Sequence, residues 1–143
     1  MDEGAEGVAK IMLDDDANSL GGTVTVTSGS GGITLDNATN ALDVVSTSSG
    51  AVTIENSGAL TAAGSMGSLM VSNATSVNDS ATLTITGTTD IDTSASNGAV
   101  ILDDDANSLG GTVTVTSGSG DITVDNNTNA LDLVTTSTGN VMV

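Results

Sequence analysis

The chain has 143 residues, and its 18 acidic residues against one basic residue give a formal net charge of −17. It contains no His, Cys, Pro, Trp, Tyr or Phe. Phosphate contacts need Lys or Arg and base stacking needs aromatic or Arg side chains, so the composition argues against nucleic-acid binding. Zinc, haem and iron–sulfur sites lose their usual ligands, and no apolar run approaches the length of a membrane span.

Catalysis is also disfavoured by the composition. A serine nucleophile needs a base such as His or Lys, and Lys10 beside the N-terminus is the one candidate. Pairs of carboxylates can hydrolyse glycosides, but the aromatic and cationic groups that usually hold the sugar are absent. We therefore expect a non-enzymatic protein, with a fragment of a polysaccharide-cleaving enzyme as the enzymatic alternative.

Residues 1–8 form an acidic N-terminal segment that contains Asp2, Glu3 and Glu6. Charged side chains blunt the open edge of a sheet, so this segment is a candidate cap for the strand that follows. It has no apolar run of the kind that signal peptides carry, and we expect no signal peptide in this chain.

From residue 9 onward a short pattern recurs: a small residue, two aliphatic residues one position apart, an acidic or Asn-rich turn, and a second aliphatic cluster. The copies start at residues 9, 31, 50, 67, 81, 98, 120 and 139. Aliphatic pairs such as Ile33 and Leu35 have the period-two spacing of a strand with one buried face. A unit of roughly 18 residues cannot bury its own strands, so the copies must stack on each other.

A longer repeat is superimposed on the short one. Residues 13–54 recur as residues 102–143, at an offset of 89 residues, and 33 of the 42 positions are identical. In the alignment of the short units, five units fit between equivalent positions of the two copies. We interpret it as a recent tandem duplication.

The two repeats predict an all-β protein whose residues 9–143 form a parallel β-solenoid, with about seven coils of roughly 18 residues and two or three short strands in each coil. Each strand is expected to pair with its equivalent in the next coil. Tandem immunoglobulin-like sandwiches are the alternative, because their length is near 89 residues. Sandwich cores usually carry aromatic residues, however, and the short unit has no place in them.

The turn after the first strand of each unit is rich in Asn, Asp and Gly, including Asn56, Asn73 and Asn126. These residue types tolerate the left-handed conformation that a sharp corner needs. Stacked Asn side chains can also form hydrogen bonds between coils. We expect these residues to form the corners of the solenoid.

Two Asp triplets in these turns, together with Asn18 and Asn107, give a D-x-D-x-N pattern similar to the start of a calcium loop. The candidate Ca²⁺ ligands are Asp14, Asp15, Asp16, Asp103, Asp104 and Asp105. The glycine and the closing glutamate of an EF-hand are missing. The alternative is a solvated acidic turn that keeps the protein soluble, with no cofactor bound.

Several segments resemble a known class of proteins. They are the Gly-x-aliphatic-x-aliphatic pattern followed by Asp-Asn, residues 48–65 (SSGAVTIENSGALTAAGS), and the two GGTVTVTSG blocks. They are similar to the β-helical shafts of filamentous-haemagglutinin-like and autotransporter-passenger adhesins, from about residue 9 onward. This resemblance implies a right-handed parallel β-helix, exported to the bacterial cell surface, that acts as a stalk or contact surface in adhesion or biofilm.

The leading hypothesis is therefore a non-enzymatic structural or adhesive stalk segment of an exported bacterial surface protein, located extracellularly or on the cell surface. The alternative is an extracellular calcium-binding module that uses the Asp-rich turns. Val143 lies within a predicted strand, and an open solenoid end pairs readily with another chain. We expect head-to-tail association of copies of this chain, contact with a host or matrix surface, no nucleic-acid partner and no membrane insertion.

Overall fold

The computed structural model describes residues 10–14, 19–36 and 41–143, and this part of the chain forms fifteen β-strands and no helix. In chain order the strands are β1 (Ile11–Leu13), β2 (Gly21–Gly29), β3 (Ile33–Asp36), β4 (Ala41–Ser48), β5 (Ala51–Glu55), β6 (Ala59–Met66), β7 (Ser68–Ser72), β8 (Ser76–Ile85), β9 (Thr89–Asp92), β10 (Val100–Leu102), β11 (Ser108–Leu109), β12 (Thr112–Gly118), β13 (Ile122–Val124), β14 (Asp132–Ser137) and β15 (Val141–Met142). The described residues therefore contain no helix of the length and hydropathy that a membrane span requires.

The strands form two parallel sheets that face each other across one core. Sheet A has the order β1-β3-β5-β7-β9-β12-β14, and sheet B has the order β2-β4-β6-β8-β10-β13-β15, with β11 also pairing with β8. The chain passes from one sheet to the other and back, so it winds through about six turns. The predicted parallel β-solenoid is confirmed, with about six turns where about seven coils were predicted, and with two principal strands in each turn.

The core consists of aliphatic side chains stacked from coil to coil. Ile33 and Leu35 of β3 pair in register with Val52 and Ile54 of β5, and none of the four is more than 1% exposed. The alternating positions carry Thr and acidic residues that face outward. β-branched residues suit this half-buried surface, and each coil completes the burial of its neighbour.

The predicted stacking is confirmed in two stretches and differs in a third. Equivalent residues pair along two columns, which are Ile11–Ile33–Val52–Leu69 in sheet A and Val100–Ile122–Val141 in sheet B. The alignment placed Leu83 in the column of Leu69, whereas the structure pairs Leu69 with Thr89. The predicted unit at residue 81 follows its predecessor too soon to complete a turn. β8 instead continues past a register shift, so that Leu83 pairs with Gly64 in sheet B.

This shift places the two copies of the duplication on opposite sheets. Four turns lead from Ile11 to Thr89 in sheet A, and Val100, the equivalent of Ile11, follows half a turn later in sheet B. The repeated GGTVTVTSG block accordingly contributes β2 to sheet B and β12 to sheet A. The 89-residue offset is therefore four and a half turns rather than five units, with turns of about 20 residues on average.

Candidate functional site in the polar corners

The Asp-rich turn of the second copy lies between β10 and β11 and receives a carboxylate from the preceding coil. Asp79 of β8 accepts hydrogen bonds from the backbone N–H groups of Asp103 (3.2 Å) and Asp104 (3.0 Å) and from Nδ2 of Asn107 (2.6 Å). Asp104 Oδ1 in turn accepts from the backbone N–H of Ala106 at 2.9 Å. The N–H donors of the turn therefore stabilise the Asp79 carboxylate and offset its repulsion from the carboxylates of Asp103–Asp105.

This geometry bears on cation binding. The carboxylate of Asp79 already accepts three hydrogen bonds, so most of its lone pairs are in use, and the N–H donors around it repel a cation. Within the described ranges, no group of three or more acidic side chains has the arrangement of a metal site.

The six predicted calcium ligands are placed as follows. Asp14 is exposed directly after β1, whereas Asp15 and Asp16 lie outside the described residues. Asp103–Asp105 follow β10, with Asp103 and Asp105 exposed and Asp104 half-buried. Because β1 and β10 belong to different sheets, the structure does not bring Asp14 close to the second triplet. Calcium binding by these residues stays a prediction.

Three buried asparagines join neighbouring coils. The Oδ1 atoms of Asn56, Asn107 and Asn126 accept from backbone N–H groups of the preceding coil, at distances of 3.0, 2.8 and 2.6 Å. Their Nδ2 groups donate to Gly58 O, Asp79 Oδ2 and Ala130 O, respectively. The expected Asn hydrogen bonds between coils are present, but they connect the amide side chains to backbone groups and, for Asn107, also to the carboxylate of Asp79, rather than Asn to Asn. Each one satisfies a buried backbone N–H where the strand pairing is interrupted.

Serine and glycine make a second kind of corner, and the duplication repeats it. Ser48 Oγ donates to Gly31 O at 3.0 Å, and the backbone N–H of Gly50 donates to Ser48 Oγ at 2.9 Å. In the second copy Ser137 donates to Gly120 O at 2.8 Å and accepts from the Gly139 N–H at 2.9 Å. The same contacts on the opposite sheet show that local sequence determines the corner.

Two shallow grooves lie beside these serine corners and are also copies of each other. One has a volume of about 320 Å³ and is lined by Thr27, Gly29, Thr47, Ser48, Ser49 and Ser65. The other has a volume of about 450 Å³ and is lined by Ser94, Asn97, Thr116, Gly118, Ser119, Thr136, Ser137 and Thr138. Five residues of the first groove match residues of the second at the 89-residue offset. Both grooves are uncharged, on a protein that is otherwise strongly acidic.

One pair of neighbouring carboxyl groups on the surface includes a glutamate with a raised pKa. Asp36 and Glu55 are adjacent in the register of β3 and β5. A hydrogen bond between the two carboxyl groups raises the pKa of Glu55 above its usual value, because it requires a proton, and partial burial raises it further. Asn73 Nδ2 donates to Glu55 Oε1 and opposes this shift. Asn73 itself has the left-handed φ of 62° expected at a corner.

A family model described as repeats of unknown function (DUF5649) matches residues 7–49 and 49–116. The chain belongs to the DUF5649 repeat family. The two matches meet at Ser49, in the corner between β4 and β5. No curated protein and no solved structure shows significant similarity to the chain.

Sequence reasoning did not identify Asp79, whose carboxylate organises the Asp-rich turn. Asp79 lies outside the Asp-rich repeats, and Asp103 is 24 residues away along the chain. The pair Asn78–Asp79 is the signal that could have identified it, because the rest of the strand consists of Ser, Thr, Ala and aliphatic residues.

Proposed function

We propose that this DUF5649 chain is a non-enzymatic structural and adhesive stalk segment of an exported bacterial surface protein, with a role in adhesion or biofilm. The observation that carries the proposal is the continuity of the two sheets. Parallel pairing runs without a gap from β1 to β14 in sheet A and from β2 to β15 in sheet B. The unit is therefore a rod that lengthens by adding coils.

The geometry suits a load-bearing spacer. The hydrogen bonds between parallel strands run along the rod, so an axial pull loads both sheets together. Six strand spacings give this segment a length of about 29 Å. The buried asparagines and the serine corners tie the turns between the strands, so the corners are also bonded from coil to coil.

The chemistry of the described residues supports a role without catalysis. The polar groups of the corners are engaged in holding coils together, as with Asp79 and Asn107. The acidic pair Asp36 and Glu55 lies in neighbouring strands of one sheet, with no described cation beside it. A surface of Thr, Ser and acidic residues favours solubility outside the cell.

The adhesive part of the proposal rests on the uncharged grooves and on the resemblance to filamentous-haemagglutinin-like and autotransporter-passenger shafts. The equivalent grooves lie on opposite sheets, four and a half turns apart in the duplication. A host or matrix surface could therefore be contacted from both sides of the rod.

Surface labelling tests the location, and force spectroscopy tests the mechanical role. Antibodies against the folded chain are applied to intact and to permeabilised cells of the source bacterium, with a cytoplasmic protein as control. We expect labelling of intact cells, and stepwise release of coils when the purified chain is pulled along its axis. Labelling that requires permeabilisation would refute the surface location, and unfolding at negligible force would refute the stalk role.

A further inference from the structure

One corner of the solenoid contains the single Asn-Gly pair of the sequence, Asn97 and Gly98, in the connection between β9 and β10. A glycine is required at position 98, because a Cβ atom there would collide with the carbonyl oxygen of Thr75 in the preceding coil. Asn97 has a left-handed φ of 55°, which asparagine tolerates better than most residues do. Packing and backbone geometry together therefore favour this dipeptide.

The equivalent corners of the next two coils carry no amide side chain. A Cβ atom on Gly120 would collide with the carbonyl oxygen of Gly98, and one on Gly139 with that of Gly120, so the three glycines form one column. The residues that precede the other two glycines are Ser119 and Thr138. The corner at Asn97 is therefore chemically distinct from its neighbours in this column.

An asparagine followed by glycine can lose its side-chain amide group without an enzyme. The backbone nitrogen of the glycine attacks Cγ of the asparagine, and a new C–N bond forms while the bond from Cγ to Nδ2 breaks. Nδ2 takes the proton of the attacking nitrogen and leaves as ammonia, so that a five-membered succinimide ring remains. Water opens this ring at the side-chain carbonyl to give aspartate, or at the backbone carbonyl to give isoaspartate. Glycine favours ring closure because it has no side chain to obstruct it.

In the folded corner both reacting groups are held by hydrogen bonds. The N–H of Gly98 donates to Thr93 O at 3.1 Å, and Oγ1 of the fully buried Thr93 donates to Gly98 O at 2.7 Å. Oδ1 of Asn97 accepts from the backbone N–H of Ser119 at 3.1 Å. The attack therefore requires the corner to open first, and its rate depends on how often the corner opens.

Asn97 also lines the larger of the two uncharged grooves, whereas the residues that line the smaller groove include no asparagine. A carboxylate at position 97 can accept the Ser119 N–H as the amide oxygen does, and a charge-assisted hydrogen bond is the stronger of the two. Aspartate is therefore compatible with the folded corner. Its charge would distinguish the larger groove from its copy.

We propose that Asn97 is a site of spontaneous deamidation, controlled by opening of the corner between β9 and β10, which places a carboxylate in the larger groove. Water is the second reactant and ammonia is released. The reaction follows from the chemistry of the corner alone and does not depend on an adhesive role of the grooves.

The test follows the conversion of each asparagine in the full chain at mildly alkaline pH, folded in buffer and unfolded in urea. Mass spectrometry of proteolytic fragments detects the replacement of the amide by an acid. Thr93→Val removes the hydrogen bond from Oγ1 to Gly98 O, and Thr84→Val, at an exposed position of β8, is its matched control. Thermal melts followed by circular dichroism compare Asn97→Asp with the original chain.

In urea, Asn97 should convert faster than every other asparagine. In the folded chain its conversion should be at least about tenfold slower than in urea. Thr93→Val should raise the folded-state rate several-fold and leave the rate in urea unchanged, whereas Thr84→Val should change neither rate. Asn97→Asp should melt at the same temperature as the original chain.

Equal rates for Asn97 in buffer and in urea would overturn the proposal, as would slower conversion of Asn97 than of another asparagine in urea. An unchanged folded-state rate in Thr93→Val would refute control by this corner. A much lower melting temperature for Asn97→Asp would refute the accommodation of the product. The comparison of the folded and unfolded original chain needs no substitution, so it decides the proposal even if Thr93→Val does not fold.

Discussion

Replacing Thr89 by valine should stabilise the protein. Thr89 is 1% exposed in the core of sheet A, and its hydroxyl finds no hydrogen-bond partner among the described residues. In its column it pairs with Leu69 on one side and Val113 on the other, so an apolar side chain is the norm there. Thr89 is thus a polar group at an apolar position.

The magnitude follows from the burial. An unpartnered buried polar group costs about 1–3 kcal/mol, and valine has nearly the shape of threonine, so Thr89→Val creates neither a cavity nor overpacking. We expect the free energy of unfolding to rise by about 1–2 kcal/mol. With an m-value of about 2 kcal/mol/M, the urea midpoint should rise by about 0.5–1 M.

The assay is urea unfolding followed by far-ultraviolet circular dichroism. Thr84→Val is the matched control, because Thr84 lies on an outward-facing, exposed position of β8. Its effect should stay within about 0.5 kcal/mol. An unchanged or lower midpoint for Thr89→Val, with an unchanged control, would show that the Thr89 hydroxyl is satisfied and would refute the reasoning.

Four further predictions follow from the corners and the ends. Asn107→Ala should lower the free energy of unfolding by about 2–3 kcal/mol, because it leaves the buried N–H of Leu83 without an acceptor. The pKa of Glu55 is higher in the folded chain than in the unfolded chain, so its contribution to stability is most favourable below the unfolded-state pKa and declines as the pH rises through the folded-state pKa. Glu55→Gln should therefore flatten the fall in urea midpoint between about pH 4 and neutral pH. Thermal melts in EDTA and in millimolar calcium should coincide, because three N–H donors already use most of the acceptor sites of the Asp79 carboxylate and the described acidic side chains form no group of three around a common point. In sedimentation at rising concentration, the weight-average mass should increase through contact between the open end strands.

Each of these predictions has a result that would contradict it. Asn78→Ala, at an exposed position next to Asp79, is the control for Asn107→Ala, and equal losses would show that burial of the side chain is irrelevant. If the urea midpoint of the Glu55→Gln variant depends on pH as that of the original chain does, Glu55 is not the cause of this dependence. A higher melting temperature in calcium would favour the calcium-binding alternative. A constant monomer mass at every concentration would refute head-to-tail association.

The fold could be predicted because its signal is local. Alternation such as Ile33-Thr34-Leu35 marks a strand with one buried face, and the repeat of that pattern leaves stacking as the way to bury it. The corner residues were also within reach, since Asn73 has the left-handed conformation that its residue type permits. The pairing of strands in the middle of the chain could not be predicted. Leu83-Thr84-Ile85 has the alternation expected at the start of a new coil, but in the structure it continues β8.

The candidate site was predicted less completely than the fold. Sequence analysis selected the Asp triplets for their charge, whereas the contacts depend on Asp79 and on the buried amide of Asn107. Both act across neighbouring coils, on residues more than twenty positions away. Pattern analysis within one unit cannot detect such a partner.

The sequence by itself determined that this chain is a solenoid of stacked strands, because period-two alternation and short units too small to fold alone are properties of the residues in order. The tertiary structure alone decided which strands pair between Leu69 and Val113, and thereby that the duplicated segments occupy opposite sheets. The physical reason is that register depends on how many residues each corner takes up and on hydrogen bonds between coils. Those contacts form only when distant parts of the chain are already side by side.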